Sequence, residues 1–394
     1  MRVRKLLIGT SLLAMATCWA QTSPAPNAGA DRQRQAALML EQQGNNTASE
    51  SAWRMVLKAH PASAEAYAHL GLLEAREEHY KQAVPLYRKA LALGPKIPGV
   101  QLNLGLALFK SGDLKSSIEV FAPLGKIFPL ASPQALQVTT LLGMAHYGLG
   151  EYAAAVPYLK ASAAADAQNL ALRLALAHSC LWSKQNQCVL DVYREILTLN
   201  ADSAEADMLA GEALDDMKDH AGAILQFRAA VKASPKEPDV HFGLGYLLWT
   251  QRQYPEAVSE FQVELANNPM HAQALTYMAD AQMQLNHPEL SPPLLEKALG
   301  IDPKLELAHL DLGVLYADAG RKDEALREMQ AAVRLAPDDV NAHWRLGRLY
   351  RSMGEMEEAK AEMAKATKIN RAADEDLAHK MGRGNTQPNE STGK

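Results

Sequence analysis

The chain has 394 residues, of which 48% are hydrophobic and 22% charged, and its formal net charge is −5. This composition is typical of a globular protein, and the mildly acidic balance argues against nonspecific nucleic-acid binding, which needs a basic field. The three cysteines form no CxxC pair and show no cysteine–histidine spacing of a zinc site. We therefore predict no cofactor and no nucleic-acid partner.

Residues 1–20 have the layout of a secretory signal peptide. A basic start precedes an apolar run over residues 6–17, and Cys18 and Ala20 are the small residues at the −3 and −1 positions of a cleavage site. The run is shorter than the roughly 20 residues that a stable membrane span needs. We predict cleavage after Ala20, a linker over residues 21–29, and export to the periplasm or the extracellular side of the cell envelope.

Cys18 offers an alternative form of processing. The residues before it resemble a lipobox, although leucine is missing at the −3 position and Thr17 stands at −1. Lipidation at Cys18 would make the protein a membrane-anchored lipoprotein. This is the one way in which we expect it to contact a membrane.

A period of 34 residues then runs through most of the chain. Apolar residues recur at helical spacing in two short segments of each period, and prolines end most periods, since proline cannot continue a helix. A small residue late in each first segment recurs every 34 residues, except at one step, which an insertion at residues 132–135 lengthens. These small residues are Ala37, Gly71, Gly105, Gly143, Ala177, Gly211, Gly245, Ala279, Gly313 and Gly347.

The period, leucine-glycine pairs such as Leu312-Gly313 and the trailing prolines resemble the tetratricopeptide repeat family. The resemblance implies an all-α fold, a right-handed α-solenoid of about ten helix-turn-helix repeats, with a concave groove lined by the first helix of each pair. It also implies binding of a protein or peptide partner. The predicted solenoid spans residues 30–373, with repeats at 30–63, 64–97, 98–131, 136–169, 170–203, 204–237, 238–271, 272–305, 306–339 and 340–373.

The fifth repeat departs from this pattern. Lys184 and Val189 replace the usual glycine and alanine, so we expect a looser crossing of its two helices. Cys180 and Cys188 lie on either side of its turn. An oxidising compartment would allow a disulfide between them, whereas the alternative is that Cys180 is a small buried residue.

The eighth repeat and the end of the chain are also irregular. Pro292 and Pro293 interrupt the second helix of the eighth repeat, and we expect Ser291 to cap a shortened helix there. After the last repeat, residues 374–394 are predicted to form a short helical extension and a disordered tail.

In related repeats, positions two, five, nine and twelve of the first helix line the groove. Positions five and nine of the second and third repeats are apolar, which excludes the family's clamp for a terminal carboxylate. We expect apolar recognition, with the acidic sixth repeat favouring a basic segment. For Phe242, Tyr246 and Trp249 the alternative is that they pack against the adjoining repeat, since aromatic residues at helical spacing are usually part of a core. The predicted groove residues are Leu102, Leu106, Phe109, Met144, Tyr147, Leu174, His178, Leu181, Glu205, Glu212, Asp215, Phe242, Tyr246, Trp249, Trp344, Arg348 and Arg351.

We find no pattern that indicates catalysis or metal binding. His241, His309 and His343 share the fourth position of their repeats, which usually holds a packing residue, and no nucleophile elbow, phosphate loop or metalloprotease pair is present. The repeats also leave too little chain for a catalytic domain. We therefore predict that the protein is not an enzyme.

Three functions remain open from the sequence. The first is an exported adaptor that binds proteins or peptides in the periplasm or at the cell envelope. The second is a structural spacer that self-associates within an envelope assembly. The third is a lipoprotein version of the adaptor, anchored through Cys18.

Overall fold

The computed structural model describes residues 28–94, 98–129 and 132–384, without the side chains of residues 28–30, 98 and 376–384. The predicted signal peptide, Cys18, the linker up to residue 27 and the last ten residues of the predicted tail lie outside this part of the chain. Within the described residues the structure contains twenty α-helices, one short 3-10 helix and no strand. The prediction of an all-α repeat solenoid is confirmed.

The chain divides into two compact units, one ending at Met217 and the other beginning at Lys218. In the amino-terminal unit, the first ten helices form five pairs that follow one another along the chain, and one further helix comes after them. They are α1 Ala28–Gln42, α2 Asn46–Ala59, α3 Ala64–Arg76, α4 Tyr80–Leu93, α5 Pro98–Ser111, α6 Leu114–Leu124, α7 Pro133–Gly148, α8 Tyr152–Ala165, α9 Leu170–Trp182, α10 Asn186–Leu199 and α11 Ala204–Asp216.

The carboxy-terminal unit has the same construction. Its helices are α12 His220–Ala233, α13 Val240–Thr250, α14 Tyr254–Asn267, α15 Ala272–Gln284, α16 Pro292–Ile301, α17 Glu306–Asp318, α18 Lys322–Leu335, α19 Val340–Met353 and α20 Met356–Gly384, with a 3-10 helix at Pro288–Leu290 before α16. Helix α20 continues to Gly384, further than the predicted extension.

The small residues of the repeat register allow the two helices of a pair to approach closely. A Cβ on Gly105 would lie 2.4 Å from the ring of Phe121 on the second helix, and a Cβ on Gly313 would lie 2.7 Å from Met329. Real Cβ atoms do not come this close to a neighbour, so a larger residue would force the helices apart. The register therefore reflects the packing of each pair.

In the fifth repeat, Lys184 adopts the left-handed conformation, with φ 59°, that glycine takes at the equivalent turn of the ninth repeat. Val189 is fully buried in the core between α9 and α10. The structure joins Cys180 and Cys188 in a disulfide whose Cα atoms lie 5.8 Å apart. Oxidation of this pair in the exported protein stays a prediction.

The eighth repeat differs from the sequence prediction in one respect. Ser291 precedes the shortened α16, but its side chain makes no capping hydrogen bond. Its hydroxyl instead donates to the carbonyl of Ala279, at 2.8 Å, on the first helix of the same repeat. Ser49 makes the same bond to Ala37 in the first repeat, at 3.2 Å. The predicted cap was wrong because this position faces the paired helix and not the helix end.

Candidate partner-binding surfaces

Four of the predicted groove residues lie in the core. Leu102, Leu106, Met144 and Leu181 are between 4% and 8% exposed and belong to clusters of packed apolar side chains. These residues sit where the first helix of one repeat packs against the next, so a partner cannot reach them in this structure. We assign them to packing and leave them out of the candidate surfaces.

Four rings of the amino-terminal unit form what we call the amino-terminal aromatic cluster: Tyr147, Tyr152, His178 and Trp182. The centroids of Tyr152 and Trp182 lie 4.4 Å apart, and those of His178 and Trp182 lie 5.1 Å apart. Tyr147 packs at 5.9 Å from Tyr152, edge to face. Burial raises the pKa of Tyr147. The predicted residues Phe109 and Leu174 are half-buried beside this cluster.

The surface next to this cluster is open and carries charge. Tyr152 and Trp182 line an open hollow of about 430 Å³. The Nε2 atom of His178 lies 2.9 Å from a carboxylate oxygen of Glu205, while its buried Nδ1 has no hydrogen-bond partner among the described residues. A half-exposed His–Glu pair of this kind is worth little on its own to stability or binding.

The acidic residues of the sixth repeat lie on α11 in the same unit. Glu205 and Glu212 are exposed and Asp215 is half-buried. Asp216, next to them, pairs with Lys184 of the preceding repeat at 2.7 Å. Because Lys184 already pairs with Asp216, part of the acidic charge is neutralised within the unit.

The second ring cluster lies on α13 and α15. We call Phe242, Tyr246, Trp249 and Tyr277 the carboxy-terminal aromatic cluster. Tyr277 packs edge to face on Tyr246 and Trp249, with centroids 5.2 and 4.9 Å away, and lies 6.1 Å from Phe242. All three predicted residues are half-buried. The structure thus brings them together and adds Tyr277, which the sequence analysis did not include.

Two buried carboxyl groups lie on the first helices α15 and α17 of this unit. The indole N–H of Trp249 donates to Asp280, at 2.5 Å, and Asp280 is only 7% exposed. Asp311, on the next first helix, is 6% exposed, and its Oδ2 has no hydrogen-bond partner among the described residues. Burial, with the neighbouring Tyr246 and acidic groups, raises the pKa of Tyr277 to about 12.

These carboxyl groups were missed by the sequence analysis, although one signal was present. Asp280 occupies position nine of its repeat, one of the positions that line the groove in related repeats, and it was not among the residues chosen. Tyr277 and Asp311 occupy position six, which faces the neighbouring first helix. No sequence pattern marks position six as part of a surface.

The last three of the predicted groove residues lie on α19. Trp344 is 48% exposed, and Arg348 and Arg351 are exposed as well. The guanidinium of Arg348 lies over the ring of Trp344, 5.0 Å from its centroid, which is a cation–π arrangement. This patch is basic, unlike the two ring clusters.

One group of side chains has the composition of a metal site. Ligand atoms of Asp239, Glu264 and His271 lie within 4.8 Å of one another. However, the backbone N–H of Ala274 donates to Nδ1 of His271, at 3.1 Å, so the ring proton belongs on Nε2, which lies 3.0 Å from Asp239. This hydrogen bond lowers the pKa of Asp239 against its burial. The arrangement therefore fits a hydrogen-bonded helix start better than a set of metal ligands.

Three histidines at position four link neighbouring segments of the carboxy-terminal unit. In each, Nδ1 lies 2.5–2.6 Å from a glutamate of the paired second helix, and Nε2 lies 2.9–3.1 Å from the carbonyl of the proline that ends the preceding repeat. The sets are His241 with Glu260 and Pro235, His309 with Glu328 and Pro303, and His343 with Glu362 and Pro337. These contacts hold the repeats together.

Known proteins are similar to this chain in sequence or in fold. The bovine (Bos taurus) BBSome complex member BBS4 is 23% identical over 301 residues, an alignment that covers 76% of this chain and 57% of that protein. The chain thus spans little more than half the length of this relative. A tetratricopeptide repeat protein from Parabacteroides merdae shares the fold with a TM-score of 0.50 at 15% identity, covering 68% of this chain and 98% of the other.

A third similarity is weaker, at a TM-score of 0.38 and 20% identity over 48% of this chain and 97% of the other. The structure concerned is YrrB, described as a tetratricopeptide repeat protein with an unusual peptide-binding site. In the described part of the chain, no helix has the length and apolar character needed to cross a membrane.

The model of the family described as "Tetratricopeptide repeat" matches residues 34–96, 71–124, 190–238, 242–306 and 310–375. These matches together span more than half of the chain. Proteins of this kind act as scaffolds that bind protein or peptide partners, and they are typically non-catalytic. The chain belongs to the tetratricopeptide repeat family.

Proposed function

We propose that the protein is an exported scaffold that binds a protein or peptide partner in the periplasm or at the cell envelope through its carboxy-terminal aromatic cluster. The observation that carries this proposal is the grouping of four partly accessible rings from two successive first helices. Aromatic side chains that are partly buried and held by neighbours are common anchors of protein interfaces, because little entropy is lost when a partner covers them.

The accessible part of the cluster favours binding over a purely internal role. Phe242, Tyr246 and Trp249 remain half-buried, whereas Phe261 beneath them is fully buried. Phe261 lies 6.1 Å from Phe242 and 6.3 Å from Tyr277 and supports both rings from below. A supported ring with an open face is suited to contact a partner, and no catalytic role is proposed for it.

The layout of residues 1–20 supports export, with cleavage after Ala20. Mass spectrometry of the protein isolated from the native cell identifies its first residue and so tests this cleavage directly. A mature chain that begins at Gln21 is expected. A lipidated Cys18 would favour the anchored form, and an intact Met1 in the cytosol would contradict export.

A cross-linking experiment distinguishes the adaptor from the alternative of a self-associating spacer. Cross-linking of the native envelope, followed by purification of the full chain, should capture a defined second protein if the scaffold is an adaptor. Large assemblies of this chain alone would favour the spacer.

The binding site is tested by Tyr246→Ala in the full chain. The variant should lose most of the captured partner, because truncating an anchor ring costs about 2 kcal/mol or more of binding. Tyr254→Ala is the matched control, since Tyr254 is a half-buried tyrosine of the same unit outside the cluster. Equal partner capture by both variants would place the site elsewhere.

A further inference from the structure

We propose that the exposed face of α19 formed by Trp344, Arg348 and Arg351 binds an extended acidic segment of a protein partner through two of its carboxylates. We call these three residues the α19 patch. The inference goes beyond the proposed function, because it uses other residues than the carboxy-terminal aromatic cluster and stands even if that cluster binds nothing. It assigns a second surface and the charge of the segment that this surface receives.

The three side chains of the α19 patch share one face of their helix. They are spaced at i, i+4 and i+7, which places them in a row about 10 Å long. All three residues are exposed. Among the described tryptophans, Trp344 alone is exposed, at 48%, whereas Trp53 is buried and Trp182 and Trp249 are half-buried. An indole ring open to solvent is typical of an interaction surface.

The two guanidinium groups of the α19 patch have no carboxylate partner among the described residues. The neighbouring first helix, α17, adds no charge at the equivalent positions, which hold Leu310, Val314 and Ala317. Arg348 and Arg351 are therefore two positive charges that nothing neutralises within the described structure, in a chain whose formal net charge is −5.

A role within the fold explains only part of the patch. Arg351 lies in the last turn of α19, where a positive charge interacts favourably with the helix dipole. The dipole does not account for Arg348 in the middle of the helix or for the exposed ring of Trp344. The cation–π contact between these two holds the guanidinium group in place before a partner arrives. Less side-chain entropy is then lost on binding.

Carboxylates are the groups that this patch fits best. A guanidinium group can form two parallel hydrogen bonds with one carboxylate. Residues at i and i+3 of a helix, such as Arg348 and Arg351, have Cβ atoms about 5–6 Å apart, and alternate side chains of an extended segment are about 7 Å apart. The long arginine side chains can span this small difference. The patch therefore fits two acidic residues separated by one other residue.

An anionic membrane and a nucleic acid fit the patch less well. The patch occupies positions five, nine and twelve of a first helix, which line the groove in related repeats. A peptide can follow such a groove, whereas a flat bilayer cannot enter it. Nucleic-acid binding depends on many phosphate contacts in a broad basic field, and two arginines on an acidic chain do not provide one.

Two synthetic pools of extended peptides test the inference on the full chain. One pool carries glutamate at two alternate central positions, and the other carries glutamine there, with neutral residues elsewhere in both. We expect the glutamate pool to bind at least about fivefold more tightly at low salt, since two exposed charge pairs each contribute modestly. The preference should shrink as salt is added, because the patch is open to solvent.

The double variant Arg348→Gln with Arg351→Gln should lose the preference for the glutamate pool. Its thermal midpoint should stay nearly unchanged, because both side chains are exposed. The matched control is Arg327→Gln with Arg334→Gln. These two exposed arginines lie on α18, a second helix, so the control changes the net charge equally but away from the patch. It should keep the preference.

The possible outcomes separate this inference from its alternatives and from the proposed function. Equal binding of the two pools, or a preference that survives the α19 double variant, would overturn it. An equal loss in the α18 control would also overturn it, since net charge alone would then attract the peptide. Phosphatidylglycerol vesicles that bind the wild type but not the α19 variant, without binding of the glutamate pool, would assign the patch to a lipid surface instead. Tyr246→Ala should keep the preference, so the two surfaces are tested independently.

Discussion

The two aromatic clusters use similar rings but differ in their polar neighbours. In the amino-terminal aromatic cluster, His178 contacts the exposed carboxylate of Glu205, and Trp182 lines an open hollow. In the carboxy-terminal aromatic cluster, Trp249 donates to the buried Asp280, and the buried Asp311 lies on α17, the next first helix. Water screens the first set of charges and is excluded from the second.

The difference shows how a repeat fold acquires a specific surface. Rings at positions nine and twelve of a first helix occur in both units, so the rings alone do not distinguish the two surfaces. Residues of the following first helices decide whether the rings stand beside screened or buried charge. Buried charges interact more strongly and more selectively than screened ones.

Removing the support of the carboxy-terminal cluster should have the largest effect. Phe261→Ala deletes a fully buried ring that packs under Phe242 and Tyr277, and we expect a loss of about 3–5 kcal/mol in the free energy of unfolding of that unit. Denaturant titration with hydrogen exchange measures the loss. Protection of α9 and α10 should persist, since repeats contact only their neighbours. A loss shared equally by both units would contradict this expectation.

The disulfide should affect only the amino-terminal cluster. Cys188→Ser opens the short loop that contains Trp182, and we expect a loss of about 2 kcal/mol, because bridges that close short loops stabilise less than long ones. Thiol labelling of the denatured, exported wild-type protein should be low before reductant is added. Two free thiols at that stage would show that the cysteines are buried but not bridged.

Trp249→Phe should distinguish the clusters more finely. It keeps an aromatic ring but removes the donor to Asp280, and leaving a buried acceptor without its donor costs about 1–3 kcal/mol. The same change at Trp182, whose ring lies between Tyr147 and Tyr152, should cost less. Thermal unfolding of both variants gives the comparison. Equal losses would mean that the bond to Asp280 contributes nothing of its own.

The smallest expected effect is a dependence on pH near neutrality. Burial, and then the hydrogen bond and charge of Asp339, raise the pKa of Glu306 from 4.5 to about 7. The folded unit thus favours protonated Glu306. Its contribution to stability is present below the ordinary pKa of 4.5 and is lost as the pH rises through about 7.

The thermal midpoint of the carboxy-terminal unit should therefore fall across this window in the wild type and fall less in Glu306→Gln. Since Glu306 is only half-buried and water screens its charge, the effect should be small. Identical pH profiles for the two proteins would show that the carboxyl pair does not influence stability.

The repeat architecture could be predicted because it depends on local constraints that recur. Gly105 must be small where Phe121 crosses it, and the same requirement returns in each pair. Position four could likewise be recognised as structural, and His241, His309 and His343 all make contacts that link repeats. Such constraints make the same residue types recur at the same position of each repeat, so the sequence shows them as a period.

The candidate surface was less predictable, because it depends on how each repeat meets the next. Leu102 and Met144 occupy groove positions by number but are covered by the neighbouring helix. The sequence does not distinguish Asp280 and Asp311 from ordinary acidic residues, and only the structure shows that both are buried and that Asp280 contacts Trp249. Burial of a charge is a property of the assembled repeats.

The central claim is that the carboxy-terminal aromatic cluster is where the partner binds. Photo-crosslinking in the native cell tests it most directly, with a benzoyl-phenylalanine residue in place of Tyr246 and, separately, in place of Tyr147 or Tyr254. The account predicts one defined protein adduct from position 246 and weak or no adducts from the other two. Adducts from position 147 alone, or only between copies of this chain, would contradict it.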